Sequence, residues 1–480
     1  MRRREFLKSA AAMGAVLAGT TGAAMAGAAT GGATSRRFSK DWKVRGGYDL
    51  VVVGAGPGGI GMAIAAARRG LRVALIEKAA FPGGAGTQCN VPMFFGFDAA
   101  EHQPTAGLSD EFVRRMDRLG AARFVRYSML DKKHPYSDFL EDKPIGDREL
   151  NKKVRFDAEM MKLVYNRMLV EAKVDCVFYT HLADVMAEGG HVQALLLAGV
   201  EGTYLMEADV FADCTGDAQL CHLADPASVE SVTPERGMHQ SIFSDLGGVK
   251  PFDFPKNQAH YRELRAKGLT PPRTWDFFGC GQMLNPEVVQ YGGFWTTGDV
   301  TDSRDLTRMD RELRDRMPEM VEFLRKNMPG FENCWLAHTA HRLGVRVSRR
   351  VYGVETLTAD ILFGKEYVHP VALCWRHTGG HSNSTKRFNA SWSRHEPGLA
   401  GVPMGALLPK AFDNVIVAGR CISAKLELVD AYRMMNTCLT MGEAAGLMVY
   451  LARKAGKPVK SVAYDELVPL MRENGFILPG

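Results

Sequence analysis

The nine cysteines of this 480-residue chain, Cys89, Cys176, Cys214, Cys221, Cys280, Cys334, Cys374, Cys421 and Cys438, include no pair in C-x-x-C spacing. That absence excludes the usual dithiol redox motif and c-type haem attachment, and no iron–sulfur motif is present. Beyond the first 26 residues no apolar run is long enough to read as a membrane span. No compact basic run with interleaved aromatics occurs, so no nucleic-acid partner is expected. The formal charge of +6 is half explained by the leader, where Arg2, Arg3, Arg4 and Lys8 against Glu5 contribute +3 and leave +3 for the remainder. A content of 46% hydrophobic and 24% charged residues is that of a soluble globular protein, long enough for two or three domains.

The N-terminus departs from this character. Arg3, Arg4, Glu5, Phe6, Leu7 and Lys8 precede a mildly apolar stretch rich in Ala and Gly that ends in Ala24-Met25-Ala26. The order resembles a twin-arginine export signal over residues 1–26 with cleavage after Ala26, the other reading being a basic, flexible leader with no address. The resemblance implies the twin-arginine export machinery as a partner and a periplasmic or otherwise exported destination. That route carries folded, cofactor-loaded proteins, so structural disulfides are not expected. Residues 27–46, polar and glycine-rich, read as a linker with little structure.

The chain is organised around Tyr48–Gly59, YDLVVVGAGPGG. The unbroken run Leu50, Val51, Val52, Val53 predicts a central parallel strand buried on both faces. It runs into Gly54, Gly56 and Gly59, which fit G-x-G-x-x-G, and GMAIAAARRG continues as a helix. The three glycines suit a tight turn, close approach of backbone to a pyrophosphate, and close packing of helix on strand, with the phosphate on the helix N-terminus. A second strand, LRVALIEK, ends at Glu77, whose carboxylate can accept from a ribose 2′-hydroxyl and argues against a 2′-phosphorylated nucleotide. A structural βαβ unit without ligand is the bland alternative.

Gly83, Gly84 and Gly86 in FPGGAGTQC let backbone approach a ligand, or form an ordinary surface turn. The first nucleotide-domain segment spans 47–100. Residues 101–150 are charged, carry Pro104, Pro135 and Pro144, and show little sustained periodicity, reading as an insertion. In 151–224 Asp157 caps a helix with apolar spacing at Met160, Met161, Leu163, Val164, Met168 and Leu169. A strand, a hairpin and a return strand ending in Thr215-Gly216-Asp217 follow, bringing a small-residue turn to the ligand edge of the sheet. Residues 225–400 trade βα alternation for proline, tryptophan and polar clusters, as in a substrate or cap domain. The α/β pattern resumes over 401–480 with NVIVAGRCIS and the helix TCLTMGEAAGLMVYLARKAG.

Four blocks in this order, VVVGAGPGGIGMAIAAARRG with LIEKAAFPGGAGT, VFADCTGDAQL, GVRVSRRVYGVETLTADI, and MGALLPKAFDNVIVAGRCIS with YRMMNTCLTMGEAAG, carry a resemblance over residues 47–480. The chain resembles the FAD-dependent oxidoreductases of the glutathione-reductase-like flavoprotein superfamily. The resemblance implies an α/β fold, a discontinuous FAD/NAD(P)-binding Rossmann-like domain with an inserted mixed α+β substrate or cap domain. It implies FAD, with Gly54, Gly56 and Gly59 at the pyrophosphate, Glu77 and its neighbour Lys78 at the adenosine ribose, and Gly84 with Thr87 beneath the flavin chain. Ala183 would approach the adenine through its backbone. Thr215 and Gly216 match the second family turn, although Cys214 stands where alanine is more usual. Gly419 and Arg420 would reach the phosphate and ribityl region. Arg433, Met434 and Thr437 would lie against the isoalloxazine, with a helix starting near Cys438 aimed at the flavin O2, where its partial positive charge favours an anionic reduced flavin.

For hydride removal from a substrate carbon a base must take a proton, and histidine suits that task. His377 is the preferred base and His381 its partner, two histidines flanking two glycines; surface or structural roles are the plain alternative. Together with His338 and His341 they allow a zinc reading, but in no recognised motif, and no metal is expected. Arg346 or Arg349, in the run Arg342, Arg346, Arg349, Arg350, can clamp a substrate carboxylate or balance a reduced flavin, or pair structurally with Glu355 and Asp360. The leading expectation is an exported flavoenzyme that dehydrogenates a small polar molecule, an alcohol, sugar, amine or hydroxy acid, and passes electrons to oxygen, a quinone or a carrier protein. A reductase of unsaturated acids fed by an external donor, and an electron-transfer flavoprotein without turnover, are the alternatives. No second nicotinamide glycine motif is present, which disfavours direct NAD(P)H oxidation.

Overall fold

In the computed structural model, which describes residues 40–95, 103, 105–126, 139–275, 277–364, 366–377 and 395–478, the run Leu50–Val53 is buried on both faces. Strand β1 (Val44–Val53) begins three residues inside the stretch expected to be linker, because Val44 and Arg45 already pair with Leu205 and Met206. Helix α1 (Pro57–Arg68) follows, and β2 (Val73–Ile76) lies parallel to β1 with Val53 opposite Ile76. This strand is shorter than LRVALIEK.

The segment 101–150 was expected to lack periodicity, yet it holds helix α2 (Leu108–Arg118), which buries Leu108, Phe112, Val113 and Met116. The spacing i, i+4, i+5, i+8 is that of one helix face, obscured in sequence by the surrounding charge. Phe112 stacks on Tyr165 of helix α3 (Ala158–Glu171) with ring centroids 4.2 Å apart. Asp157 caps α3, accepting from the Glu159 and Met160 amides. Met161, Val164, Met168 and Leu169 face the core, while Met160 and Leu163 are exposed, one position too far round the helix.

Strands β3 (Asp175–Val177), β4 (His181–Glu188), β5 (His191–Gly199) and β6 (Gly202–Asp213) complete most of the main sheet, in the order β3-β2-β1-β6-β5-β4. The second sheet is antiparallel: β7 (Ser244–Gly247), β8 (Cys280–Gln282), β9 (Val288–Tyr291) and β10 (Trp335–Thr339) lie in the order β8-β9-β7-β10. It covers a separate apolar core drawn mainly from residues 242–343, a narrower stretch than 225–400. Val347, Val351, Leu357, Leu362 and Val371 instead join the core of the main sheet. Strand β11 (Val415–Val417) returns to that sheet, parallel to β6, so Val53, Ile76, Asp213 and Val417 end side by side. Open α/β sheets bind ligands at this carboxyl edge.

Helix α4 (Met435–Ala455) starts three residues before Cys438 and crosses α1 at backbone contact. A Cβ on Gly442 would lie 2.0 Å from the Gly58 carbonyl oxygen, and one on Gly61 would lie 2.3 Å from that of Leu439. Further along, Gly446 faces the Met62 carbonyl in the same way, at 2.5 Å. Among the described residues no helix is long and apolar enough to cross a membrane.

Gly442→Ala is expected to destabilise the protein by about 3 kcal/mol or more, since neither backbone can yield. Urea unfolding at a fixed probe checks this, and a loss below about 1 kcal/mol contradicts the close crossing. Glu443, the residue after Gly442, is buried and accepts a hydrogen bond from the Leu108 amide at 2.9 Å. Burial pushes its carboxyl up to about 8 from 4.5. The native state therefore holds a proton that the unfolded chain releases, and this group's contribution declines as pH rises from about 5 to about 8. The melting temperature of Glu443→Gln should fall less across that window than that of the parent protein.

Candidate functional site

Beyond the aligned strand ends lies a cleft of about 900 Å³, part of it open to solvent. Its floor is the first glycine turn. Gly54 has φ +103° and no room for a side chain, since a Cβ would sit 2.4 Å from the Cys214 carbonyl oxygen. Gly59 packs against the Gly54 carbonyl, where a Cβ would come within 1.9 Å. Gly56 is different: a Cβ there would meet nothing within 4 Å, because this residue faces the open cleft. The three spaced glycines thus form a turn, an exposed backbone ledge and a close contact.

Carboxylates hold the loops around this floor. Glu77 accepts from the amides of Ala55 at 2.8 Å and Ala79 at 2.9 Å, so it braces the turn and still faces the cleft. Asp213, fully buried at the end of β6, accepts from the Thr215 amide and hydroxyl and from the Cys221 amide. Asp217 accepts from Ser348 Oγ and Arg420 Nη2, each at 2.6 Å. Burial alone would raise its carboxyl, but the Arg420 charge and these hydrogen bonds outweigh it and hold it at about 2.

The expected residues fall into three groups. Gly54, Gly56, Glu77, Lys78, Gly84, Thr215, Gly216, Gly419, Arg420 and Arg433 line the cleft. Gly59, Thr87, Met434 and Thr437 stand just behind the lining. Thr87 donates to the Pro82 carbonyl at 2.9 Å and Thr437 to that of Leu373 at 3.1 Å, fastening the loop and the start of α4. Ala183 is an exposed bulge in β4, and Thr180, His181 and Leu182 line the cleft in its place. Cys438, expected as the helix start, lines it too, as do Gln88, Gln219, Arg342 and Met435, which the sequence does not mark as site residues. Arg342 had a signal, being the first cation of the run, and its backbone amide is tied to the Gln88 carbonyl at 3.2 Å.

The arginines of that run separate. Arg346 donates to the His239 carbonyl and, at 3.3 Å, to Ser241 Oγ, and lies over Trp275 at 5.5 Å. Arg349, on the strand Arg349–Val351 paired with Val229–Ser231, does not reach the cleft lining. Arg350 is buried against Glu230 at 2.7 Å, not against Glu355 or Asp360, because the strand pairs with the Glu230 segment. His338 lies 3.4 Å from Asp245 and His341 packs on the Phe81 ring. His377 ends the strand Pro370–His377, and its side chain, like His381, lies outside the described residues. That strand touches the start of α4 at Leu373, four residues and roughly 13 Å before His377. Among the described residues no cluster is arranged to hold a metal ion.

The lining suits an extended anionic dinucleotide. Four cationic side chains, Lys78, Arg342, Arg420 and Arg433, face the cleft against the single carboxylate Glu77. Nε of Arg342 and of Arg420 is buried without a partner among the described residues. Both α1 and α4 present first turns with no side-chain cap to the same space, where their amides are free to meet negative charge.

A family model described as FAD dependent oxidoreductase matches residues 49–471. Among solved structures the chain is similar to a geranylgeranyl bacteriochlorophyll reductase-like protein of Thermoplasma acidophilum, at 12% identity and TM-score 0.45, covering 90% of this chain and 84% of that one. It is similar to a p-nitrophenol 4-monooxygenase of Pseudomonas putida DLL-E4, at 12% identity and TM-score 0.46, covering 88% and 83%. A myxobacterial chondrochloren halogenase gives 12% identity and TM-score 0.45, covering 90% and 79%. No curated protein matches the chain.

Asp217→Asn removes the charge that holds Arg420, so FAD retention should weaken about tenfold while the fold persists. Dialysis followed by flavin absorbance reads this. The carboxyl is held below its ordinary value, so the stabilisation it gives is present above about pH 4 and is lost as pH falls towards 2. Flavin release in acid should occur at higher pH in the variant; identical release profiles would contradict the role given to this pair.

Proposed function

The chain belongs to the FAD dependent oxidoreductase family, FAD is its cofactor, and we propose that it dehydrogenates a small polar substrate such as a hydroxy acid, alcohol, sugar or amine. The observation that carries this reading is the uncapped N-terminus of α4 beside Arg433 at one end of the cleft. Positive charge gathered there favours uptake of negative charge during oxidation of a substrate. Bound FAD supplies a hydride acceptor and a store of two electrons for a second acceptor, which we assign to oxygen, a quinone or a carrier protein.

The chain's own residues have three tasks in this reading. The amides of α4 and the Arg433 guanidinium stabilise negative charge at the reacting end. Arg420, held by Asp217, keeps the cofactor from shifting during turnover. His377, with His381 as partner, takes the proton from the substrate hydroxyl or amine, a role supported by the two histidines that flank the glycines of HTGGH. A different reaction, reduction of an unsaturated acid fed by an external electron donor, is the second reading. It is supported by Arg346, which is held by Ser241 Oγ over the face of Trp275 and whose hold on its proton burial and the neighbouring Arg433 charge weaken.

Two broader assignments belong to the same proposal. The order of the sequence blocks supports membership of the glutathione-reductase-like superfamily. The sequence RRREFLK, the apolar stretch after it and Ala24-Met25-Ala26 support twin-arginine export, and all of these lie outside the described residues.

Anaerobic mixing of the FAD-loaded protein with hydroxy acids, alcohols, sugars and amines should bleach the flavin band near about 450 nm with one class. His377→Ala should slow that bleaching about a hundredfold at unchanged flavin content. If nothing bleaches the band but an unsaturated acid reoxidises the chemically reduced protein, the reaction runs in the reductive direction. Flavin indifferent to both would sink the enzyme reading in favour of electron transfer.

A further inference from the structure

Arg346 is a cation placed next to the cleft without an anion of its own. Its hydrogen-bond and ring partners are neutral: the His239 carbonyl, Ser241 Oγ at 3.3 Å and the face of Trp275 at 5.5 Å. Among the described residues no carboxylate lies within ion-pair distance of it. The carboxylate that acts on it at longer range is Asp430, which is nearly fully buried and bonded to Arg433 Nε at 2.7 Å. Two guanidiniums therefore share one local carboxylate. Like charges so placed repel, and burial adds a desolvation cost to each. Both effects lower the affinity of Arg346 for its proton.

A fixed, partly desolvated cation of this kind is relieved by an anion that arrives with a ligand. Glycine turns and helix N-termini already offer the phosphates of a dinucleotide their own amides, and Arg346 is not part of that lining. It stands against Ser241 and Trp275, near enough to Arg433 for the two charges to repel, so that Trp275 gives a flat apolar wall and Ser241 a hydroxyl. A planar group matches this set better than a tetrahedral one, since a guanidinium fork pairs with a carboxylate through two parallel hydrogen bonds.

We propose that Arg346 and Arg433 form a carboxylate subsite, making the substrate a small organic acid that lays its apolar portion against Trp275. The inference rests on the reading of the cleft as an oxidoreductase site and narrows its substrate class. Alcohols, amines and sugars without an acid group lack the anion this subsite requires. Arg346 is a specificity-determining residue in this arrangement, and Arg433 links the subsite to the reacting end.

The test uses malonate, an acid without a hydroxyl or amine to oxidise, and its neutral counterpart malonamide. Each is titrated into the oxidised FAD-loaded protein, with tryptophan fluorescence and the flavin absorbance envelope as readouts. Malonate should bind with a saturable signal and malonamide at least about tenfold more weakly. Arg346→Ala should raise the malonate Kd about tenfold or more, and Arg346→Lys by a smaller factor, because the point charge remains and the fork does not. Should Arg346→Ala not fold, Arg346→Lys carries the test. Equal binding of malonamide and malonate, or a Kd within about twofold of the parent in the variant that folds, overturns the subsite. Neither probe is oxidised, so saturable malonate binding in a protein whose flavin no substrate bleaches keeps the subsite while the dehydrogenation reading falls.

Discussion

The backbone contact between α1 and α4 is the constraint on which the site depends. Helices with ordinary side chains between them keep their axes 8–10 Å apart, a typical separation, and two N-termini so spaced do not share one narrow cleft. Here the Gly58 and Met62 carbonyls of α1 lie where the Cβ atoms of Gly442 and Gly446 would have been, and the Leu439 carbonyl of α4 lies where that of Gly61 would have been. The two helices ascend together, Gly58 beside Gly442 and Met62 beside Gly446, and both first turns open on the same space. Two clusters of unpaired amides, far apart in sequence, become one electropositive cleft.

That field needs anions to hold the loops without filling the cleft. Asp213 and Asp217 stand just behind the lining, where they tie the Thr215 turn and Arg420 in place, and Glu77 spends hydrogen bonds on the Ala55 and Ala79 amides. The lining keeps a surplus of cations as a result. A carboxylate projecting into the cleft would cancel the attraction that the ligand is to exploit, whereas one in the second layer orients the cation and leaves its outer face free.

Much of this was legible because local pattern and tertiary role coincide. The run Leu50–Val53, the spaced glycines, Glu77, the Asp157 cap and the small residues of α4 each carry a signal in residue type and spacing. The failures have physical causes. Helix α2 hides its apolar face among Asp110, Glu111, Arg114 and Arg115, which pair along the helix and with α1 and α3. The sequence points to Cys438 as the start of α4 because Arg433, Met434 and Met435 give no capping signal, and no side chain caps the helix. Arg342 was passed over because whether an arginine faces a cleft depends on the Gln88 loop, 254 residues before it. The surroundings of Arg349 and Arg350 are hidden for the same reason, since their partner strand Val229–Ser231 is remote in sequence.

The boundary between the two cores explains why cofactor and substrate were unequally readable. The second sheet meets the nucleotide domain through polar bonds: Asn90 Nδ2 donates to Asp245 at 2.8 Å, Gln290 Nε2 to the Asn90 carbonyl at 2.7 Å, and buried Arg155 to Gln290 at 3.2 Å. Directional bonds of this kind fix one orientation where apolar contact tolerates sliding. They start at Asn90, two residues after Gln88 in the cleft lining, so the cap is registered against the cofactor loop itself. Side chains on the cap face, Ser241, Trp275 and Arg346 among them, stand outside these bonds. The cap can therefore exchange them without loosening the seam, and a substrate written in such residues has no motif to betray it.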